Sequence, residues 1–178
     1  MQRNRQSDDA ARPAIVVVTS MTSRTPSIRL RPAAVGDAET VARFNALMAE
    51  ETEHLRLDPG RLLDGVRAVL SDPAKGFYTL AEIDGAIAGQ MMITYEWSDW
   101  RNGNFWWIQS VYVDVPYRGG GVYRALYNHI ERRARSEGAC GLRLYVEREN
   151  SRAQQTYRRC GMMETGYQMY EVDFVLTR

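Results

Sequence analysis

Apolar and polar residues follow regular spacings along most of the chain from residue 27 onward. The stretch SIRLRPA, residues 27–33, alternates apolar and polar side chains and predicts a first strand. Apolar residues then recur at helical spacing at Val41, Phe44, Leu47 and Met48. This spacing predicts a first helix, with Asp37 as its N-cap. A second helix is predicted over about residues 59–70.

Three strand-like runs follow, and tight turns separate them. The runs are FYTLAEI (residues 77–83), AIAGQMMITYEW (residues 86–97) and FWWIQSVYVDV (residues 105–115). Asp84-Gly85 is predicted to be a hairpin turn, and residues 99–104, DWRNGN, are predicted to form a second turn. Short turns between strands favour antiparallel neighbours, so these runs predict an antiparallel meander.

Helical spacing returns after the meander, in an apolar stripe that Gly138 ends: Val122, Ala125, Leu126, Ile130 and Ala134. The run LRLYVE, residues 142–147, predicts another strand, and a strand–helix–strand order favours parallel pairing. A short helix is predicted within residues 150–161, with Asn150 or Ser151 as its N-cap. Residues 167–176, YQMYEVDFVL, again have the pattern of a strand.

This order of elements predicts one α/β (α+β) domain over residues 27–178, with a mixed, mostly antiparallel central sheet. Residues 1–26 are predicted to form a flexible tail, in which Met21 is an alternative start. The chain has 178 residues and a formal net charge of +1, which gives no electrostatic reason to expect nucleic acid or a membrane surface as a partner. Cys140 and Cys160 form no metal-binding motif, so we expect a reduced, cytoplasmic protein with no metal.

Arg118 and three glycines, Gly119, Gly120 and Gly121, stand between the last strand of the meander and the next helix. A glycine-rich turn exposes main-chain N–H groups at the positive end of a helix dipole, where an anion such as phosphate can bind. An ordinary tight turn explains the glycines equally well. Val122-Tyr123 replaces the Lys and Ser/Thr of a Walker loop, and Arg124 stands where a dinucleotide fingerprint has its last glycine.

Two stretches resemble the GNAT superfamily of acyl-CoA N-acyltransferases. VYVDVPYRGGGVYRAL is similar to the superfamily's phosphate-binding motif, in which Tyr123 departs from the usual glycine or alanine. LYVERENSRAQQTYRRCGM is similar to its later motif, which has an Asn, an Ala and a Tyr on a short helix. The resemblance implies a GNAT-like sheet with helices on both faces and a V-shaped splay between strands 4 and 5.

The resemblance also implies the ligand, acetyl-CoA as acyl donor, and a set of contacts to it. Tyr112, Val113 and Val115 are expected beside the pantetheine arm, and Asn150 either contacts the arm or only caps its helix. The main-chain N–H groups of one continuous segment are expected to hold the pyrophosphate: Arg118, Gly119, Gly120, Gly121, Val122 and Tyr123.

The implied activity is transfer of the acetyl group to a primary amine, on a small molecule or a peptide, by direct attack in a ternary complex. Tyr157 matches the family's general acid, although core packing also explains it. Glu96 and Glu51 are candidate general bases, although either could be a solvated surface acid. His54 and His129 are weaker candidates, considered because an imidazole group in general can exchange a proton near neutral pH.

Two other functions remain open at this point, a non-catalytic acyl-CoA-binding module and a nucleotide-binding regulatory domain. The aromatic residues Trp97, Trp100, Trp106 and Trp107 could wall an acceptor pocket, form a homodimer contact, or pack in the core. The sequence leaves the acceptor amine and the oligomeric state open.

Overall fold

The computed structural model describes residues 27–175, and it places five strands in one sheet with four helices around it. The elements in chain order are β1 (Arg29–Pro32), α1 (Ala38–Glu53), α2 (Pro59–Ser71), β2 (Phe77–Ile83), β3 (Ala86–Ser98), β4 (Gly103–Val113), α3 (Val122–Ser136), β5 (Gly141–Arg143) and α4 (Ser151–Arg159). The predicted tail, residues 1–26, lies outside the described residues, as do residues 176–178.

The strands lie in their sequence order, β1-β2-β3-β4-β5, across the sheet. The first four are antiparallel neighbours, and β5 is parallel to β4. At the β2–β3 turn, Asp84 and Gly85 both have positive φ, 51° and 83°, which suits the right-handed twist of the flanking strands. The predicted mixed, mostly antiparallel sheet is confirmed.

An aspartate stands at the N-cap of each of the first two helices, but only the second one caps its helix with its side chain. Asp58 caps α2 by accepting a hydrogen bond from the Arg61 N–H at 2.7 Å, and Pro59 occupies the first helical position. Asp37 stands at the N-cap of α1, as predicted, but its carboxylate is used differently. It accepts the Ala34 N–H at 2.7 Å and pairs with the Arg31 guanidinium at 2.7 and 2.8 Å.

Helices cover both faces of the sheet, as the resemblance implied. On one face, α1 and α2 bury Val41 and Val66 against Tyr78 and Leu80 of β2. On the opposite face, the predicted apolar stripe of α3 packs against the other side of the same strands, at Ala81, Met91, Ile93 and Ile108. Because strand side chains alternate between faces, neighbouring residues of β2 serve the two halves of the core.

A buried polar network attaches α1 to the centre of the sheet. Gln90 on β3 is fully buried, and its Nε2 donates to Asn45 Oδ1 at 2.8 Å and to the Val41 carbonyl at 3.3 Å. Asn45 Nδ2 in turn donates to the Tyr78 hydroxyl at 3.1 Å. These bonds define the rotation of α1, because a buried polar group left unpaired is costly.

β4 and β5 diverge soon after they meet. They pair only at residues 105–107 and Gly141–Arg143, while β4 continues to Val113. At the same place the β3 register shifts from Met92–Ser110 to Ile93–Ile108, so Gln109 is the extra residue of a β-bulge in β4. A bulge bends its strand and increases the local twist, which accounts for the divergence. The predicted V-shaped splay between strands 4 and 5 is present.

The divergence shortens the strands predicted for the C-terminal part of the chain. β5 ends at Arg143 instead of residue 147, because its continuation has left β4. The strand predicted over residues 167–176 is wrong for its described part, since residues 167–175 form no strand. Alternating side chains make a strand only where a neighbour supplies hydrogen bonds, and here Met169 and Glu171 line a cleft instead.

Both cysteines are free thiols in the structure. Cys140 Sγ lies 3.6 Å from the Gly103 carbonyl, and Cys160 packs beside the α3 face of the core. Within residues 27–175, no three His, Cys, Asp or Glu side chains are grouped so that they could hold a metal ion. None of the helices in that range has the length and hydropathy needed to cross a bilayer.

Gly76, directly before β2, allows a close approach of two backbones. Its φ is 135°, and a Cβ built there would lie 2.1 Å from the Ile93 carbonyl oxygen. We expect Gly76→Ala to destabilise the protein by about 2–3 kcal/mol, because both the φ angle and the contact become strained. Urea unfolding would measure the change.

Gly65, in the exposed part of α2, is the matched control because a Cβ there meets nothing within 4 Å. Gly65→Ala should stabilise the protein by about 0.5–1 kcal/mol through helix propensity. Equal stabilities of Gly76→Ala and the native protein would contradict the role given to Gly76.

Candidate active site

The divergence of β4 and β5 opens a cleft with a volume of about 910 Å³. β4 forms one wall, and the segment after β5 together with α4 forms the other. The lining residues are Met48, Thr52, Glu53, Ile108, Gln109, Ser110, Val111, Val113, Tyr123, residues 144–150, Ala153, Tyr157, Met169 and Glu171. The cleft has the size of a site for a small organic ligand.

The edge of β4 that faces the cleft has no strand beside it. Residues 108–113 pair with β3 on one side, but on the other side no strand among residues 27–175 reaches them. Apart from the Val113 carbonyl, which already accepts a hydrogen bond from Arg118 Nε, the N–H and C=O groups on that side therefore need another partner. An extended ligand that carries amide groups could satisfy them in the way that a neighbouring strand would.

The three β4 residues predicted to lie beside the ligand have different positions. Val113 lines the cleft. Tyr112 turns its side chain to the α1 face, where it is 5% exposed and its ring lies 5.1 Å from that of Phe44. Val115 is past the end of β4, in a short 3₁₀ turn, and is 59% exposed. Only Val113 brings its side chain into the cleft.

The glycine-rich loop leads directly into α3. Gly119 and Gly121 have positive φ, 81° and 85°, and Gly121 is the N-cap of the helix without any side-chain cap. The N–H groups at the start of α3 therefore lack partners within the helix and lie at the positive end of its dipole. The arrangement is suited to bind an anion, which is one of the two explanations that the sequence left open for the glycines, and anion binding stays a prediction.

Arg118 connects this loop to the end of α1. Its Nη2 lies 2.6 Å from Glu51 Oε2, and its Nε donates to the Val113 carbonyl at 2.8 Å. The Tyr112 hydroxyl donates to Glu51 Oε1 at 2.9 Å. The guanidinium is thus engaged by Glu51, and the geometry favours a role for Arg118 in holding the loop over a direct contact with phosphate.

The same contacts determine the protonation of Glu51. Burial acts to raise its pKa, but the hydrogen bonds from Arg118 and Tyr112 outweigh that effect and the pKa is lowered. A carboxylate with a lowered pKa, already bonded to a guanidinium, is a poor proton acceptor. This disfavours Glu51 as a general base.

Two tyrosines lie together on the wall of the cleft. Tyr157 projects from α4, and its ring centroid is 5.8 Å from that of Tyr123 on α3. Tyr123 also stacks on Tyr127, with centroids 6.2 Å apart, so its side chain fills the space between α3 and α4 and does not crowd the glycines. Burial raises the pKa of Tyr157, which keeps the hydroxyl protonated at neutral pH.

Comparison with known proteins agrees with this geometry. Residues 41–162 match the model of the Acetyltransferase (GNAT) family. The chain belongs to this family. No curated protein matches the sequence significantly.

Solved structures with the GNAT fold resemble the whole described domain. A possible acetyltransferase from Clostridium difficile 630 is 46% identical, with a TM-score of 0.78, over 84% of this chain and 99% of that one. The aminoglycoside N-acetyltransferase AAC(6')-Iy in complex with CoA is 14% identical, with a TM-score of 0.71, over 87% and 100% of the two chains. Ribosomal-protein-alanine N-acetyltransferase from Brucella melitensis biovar Abortus 2308 is 18% identical, with a TM-score of 0.67, over 83% and 100%.

Glu96, the other candidate base, lies outside the cleft of this GNAT protein. It is on β3 and pairs with Arg143 Nη1 at 2.5 Å. The Arg143 guanidinium reaches it by crossing the ring of Phe105, 3.7 Å from the centroid. Glu96 therefore joins β3 to β5 across β4, and the structure does not bring it to Tyr157.

Asn150 has the capping role that the sequence left open. Its Oδ1 accepts the Ala153 N–H at 3.0 Å and so begins α4. The residue also lines the cleft, so a contact with a ligand stays a prediction. The cap holds the first turn of the helix that carries Tyr157.

None of the four tryptophans lines the cleft, so of the three alternatives left open for them the cleft gives no support to an acceptor-pocket wall. Trp106 is a core residue, and Trp107 lies against Tyr145 with ring centroids 6.2 Å apart. Trp97 and Trp100 are exposed, and their place in a dimer stays a prediction. Neither histidine lines the cleft: His54 ends α1 in the left-handed conformation, and His129 is on α3.

Gln109 and Ser110 line the cleft but were not predicted to do so. Gln109 Nε2 donates to the Tyr145 hydroxyl at 3.1 Å and so bridges the two diverging segments. The available signal was the polar pair that interrupts the apolar run of β4. A bulge changes which side chains face which way, and periodicity alone does not reveal it.

The Glu51–Arg118 pair predicts a pH-dependent contribution to stability. Because the folded pKa of Glu51 is lowered, its contribution is complete above the unfolded pKa, near 4.5, and is lost as the pH falls through the folded value. Both side chains are 38% exposed, so we expect Glu51→Gln to lower stability at pH 7 by about 1 kcal/mol or less. Thermal unfolding from pH 7 to pH 3 would measure this.

Glu50→Gln is the matched control, since Glu50 has no ion pair among the described residues. The difference in Tm between the Glu51 variant and the native protein should disappear at the acid end of the range. A difference that is constant across the whole range would contradict the ion pair as its origin.

Proposed function

We propose that this protein is an N-acetyltransferase that moves the acetyl group of acetyl-CoA to a primary amine within a ternary complex. One observation carries the proposal: a cleft bordered by the unpaired edge of β4 extends between the start of α3 and Tyr157. Membership of the GNAT family supports acyl transfer in general. The residue roles below are part of the proposal.

The chain offers two kinds of main-chain contact to acetyl-CoA. The N–H groups of Gly121, Val122 and Tyr123, at the start of α3, would hold the pyrophosphate. Gly119 and Gly120 would keep that approach free of side chains. The free edge of β4, up to Val113, would bond the pantetheine amides in the manner of an added strand.

Tyr112 and Val115 would contribute to binding indirectly. The Tyr112 side chain supports Glu51 through the hydrogen bond that its hydroxyl donates. Val115 belongs to the turn that leads from β4 into the glycine-rich loop. Arg118 and Glu51 would hold this turn in place through their ion pair.

Acyl transfer needs a polarised carbonyl and a protonated leaving group. A bound acetyl-CoA would supply an activated thioester. The main-chain N–H groups near the bulge at Gln109 are available to polarise its carbonyl. Tyr157 would donate a proton to the departing thiolate, and its raised pKa keeps that proton in place at neutral pH.

The attacking amine must lose a proton, and neither of the two carboxylates predicted as candidate general bases is in a position to accept it. Glu51 and Glu96 are both held by arginines, Arg118 and Arg143, and neither lines the cleft. We propose that the proton passes to water in the cleft instead of to either carboxylate directly. An open cleft of about 910 Å³ has room for water beside the substrates.

The charges along the cleft favour a cationic acceptor. Glu53, Glu147 and Glu149 line it, and Arg148 is the one basic residue among the described lining residues. This excess of negative charge would attract a protonated amine. Two distant GNAT structures are named as acetyltransferases of an aminoglycoside and of a ribosomal-protein alanine, so a polyamine-like small molecule and a peptide N-terminus are the first acceptors to test.

We expect CoA and acetyl-CoA, and not ATP or NAD, to raise the Tm. A ligand at about 100 times its Kd stabilises the native state by about 2.7 kcal/mol, which corresponds to several degrees. Differential scanning fluorimetry with 1 mM of each ligand would show it. A rise in Tm with NAD and none with CoA or acetyl-CoA would refute the acyltransferase proposal. If CoA binds but no amine causes release of the thiol from acetyl-CoA, the protein is a non-catalytic acyl-CoA-binding module.

Tyr157→Phe removes one hydroxyl and keeps the ring. If Tyr157 protonates the leaving thiolate, kcat should fall about 10²-fold while the KM for acetyl-CoA changes little. Steady-state thiol release at saturating amine would measure both constants. Tyr127→Phe, in the same aromatic stack but outside the cleft, should leave kcat unchanged. An unchanged kcat for Tyr157→Phe would exclude Tyr157 as the general acid.

A further inference from the structure

Exposed apolar side chains are concentrated in one short segment after α4. Of the thirteen large apolar side chains that are exposed within residues 27–175, seven lie in this segment: Met163, Tyr167, Met169, Tyr170, Val172, Phe174 and Val175. Each of the seven is at least 64% exposed. Single exposed apolar residues are ordinary, but a contiguous apolar patch marks a surface that binds another molecule. The segment is therefore a candidate interface.

Residues 167–175 have the side-chain pattern of a strand, although no strand of the described sheet pairs with them. Apolar and acidic positions alternate in the order Tyr170, Glu171, Val172, Asp173 and Phe174. In an extended chain the three apolar side chains would share one face, and the two carboxylates would share the other. Such a segment is suited to pair with the open edge of a sheet, where its main chain and its alternate side chains both find partners.

β5 is the last strand of the sheet and offers an open edge. It pairs with β4 on one side, and no strand among residues 27–175 lies on its other side. Leu142 and Leu144 are only half-buried where they pack against the core beside α3. Arg143 stands between them and, by the alternation of an extended chain, faces the other way. β5 and the residue after it thus also alternate apolar and charged side chains.

The segment and the edge are complementary in polarity and in charge. A strand placed beside β5 can bring its apolar face to Leu142 and Leu144 and its acidic face to Arg143. Apolar pairs and opposite charges across neighbouring strands both stabilise a sheet. The Arg143 guanidinium meets Glu96 through Nη1 and has further N–H donors, so it can also serve a carboxylate of an added strand.

We propose that two copies of this chain form a dimer in which residues 167–175 of each copy add a strand to the free edge of β5 in the other. Within the described residues, one chain carries both halves of this contact and gives neither a strand partner. The contact made twice about a two-fold axis would satisfy both halves and close the assembly. This inference does not depend on the proposed acetyl transfer.

The apolar area of the segment is large enough for a stable dimer. A covered aromatic side chain buries about 150–250 Å², so Tyr167, Tyr170 and Phe174 together approach the roughly 800 Å² per subunit of a standard interface. Met169, Val172 and the edge of β5 add to this area. A second copy of the chain can therefore cover the patch without any other partner.

Sedimentation velocity of the full chain over a wide range of protein concentration tests the proposal. We expect a particle with twice the mass of one chain. Phe174→Lys puts a charge in the apolar face of the added strand and should raise the dimer Kd about 30-fold or more, as for the loss of a hot-spot side chain. Because Phe174 is exposed in the single chain, the variant should keep its fold, which far-UV circular dichroism would check.

Trp100→Lys is the matched control, since Trp100 is nearly as exposed as Phe174 but lies between β3 and β4. It should leave the dimer Kd unchanged. If Trp100→Lys dissociates a dimer that Phe174→Lys leaves intact, the contact is at the β3–β4 turn and the proposal is wrong.

Hydrogen exchange measured by mass spectrometry would locate the pairing. The amides of residues 167–175 and of residues 141–144 should exchange more slowly in the native dimer than in Phe174→Lys. A native protein that stays monomeric overturns the proposal. If residues 167–175 are then protected, their partner is in the same chain, either at β5 or in residues 1–26. A dimer in which residues 141–144 gain no protection also overturns the proposal, because it uses another edge.

Discussion

β4 and β5 share hydrogen bonds at only three positions before they separate, and the candidate active site is the space that this separation opens. A parallel pair that continued would satisfy the facing backbone edges of both strands and leave no cleft. Here the bulge at Gln109 bends β4 at the point of divergence, and the outer edge of residues 108–113 is left for a ligand. The binding surface is thus an interruption of regular structure in an otherwise continuous sheet.

Contacts on either side of the cleft keep this interruption in place. The buried bonds of Gln90 and Asn45 attach α1 to the sheet, and the far end of α1 carries Glu51 to Arg118. That ion pair connects α1 to the loop before α3, at one end of the cleft. At the closed end, the Arg143 guanidinium lies over Phe105 and reaches Glu96, which joins β3, β4 and β5 where the last two still pair.

These contacts also assign the ionisable groups near the cleft to different tasks. The carboxylates of Glu51 and Glu96 are used to join elements, and hydrogen bonds from Arg118 and Tyr112 lower the pKa of Glu51. The tyrosines Tyr123 and Tyr157 are not paired in this way, and burial keeps both protonated. The wall of the cleft therefore contains protonated tyrosines, while negative charge comes from carboxylates such as Glu53 and Glu147 that line it.

Local patterns in the sequence were sufficient for most of the secondary structure. Residues 77–83 were predicted as the strand that β2 forms, and the helix predicted from about residue 59 begins there as α2, because these features depend on neighbours in the chain. The two motifs also indicated the family. The place where β4 and β5 part could not be read from side-chain periodicity, since residues 142–147 alternate well beyond Arg143. Whether a strand pairs depends on the partner that the fold brings to it, and for the same reason residues 167–175 alternate without forming a strand. Only the tertiary structure could show that Glu51 meets Arg118, 67 residues later, and that Ser110 and Tyr123 line one cleft with their hydroxyls unpaired.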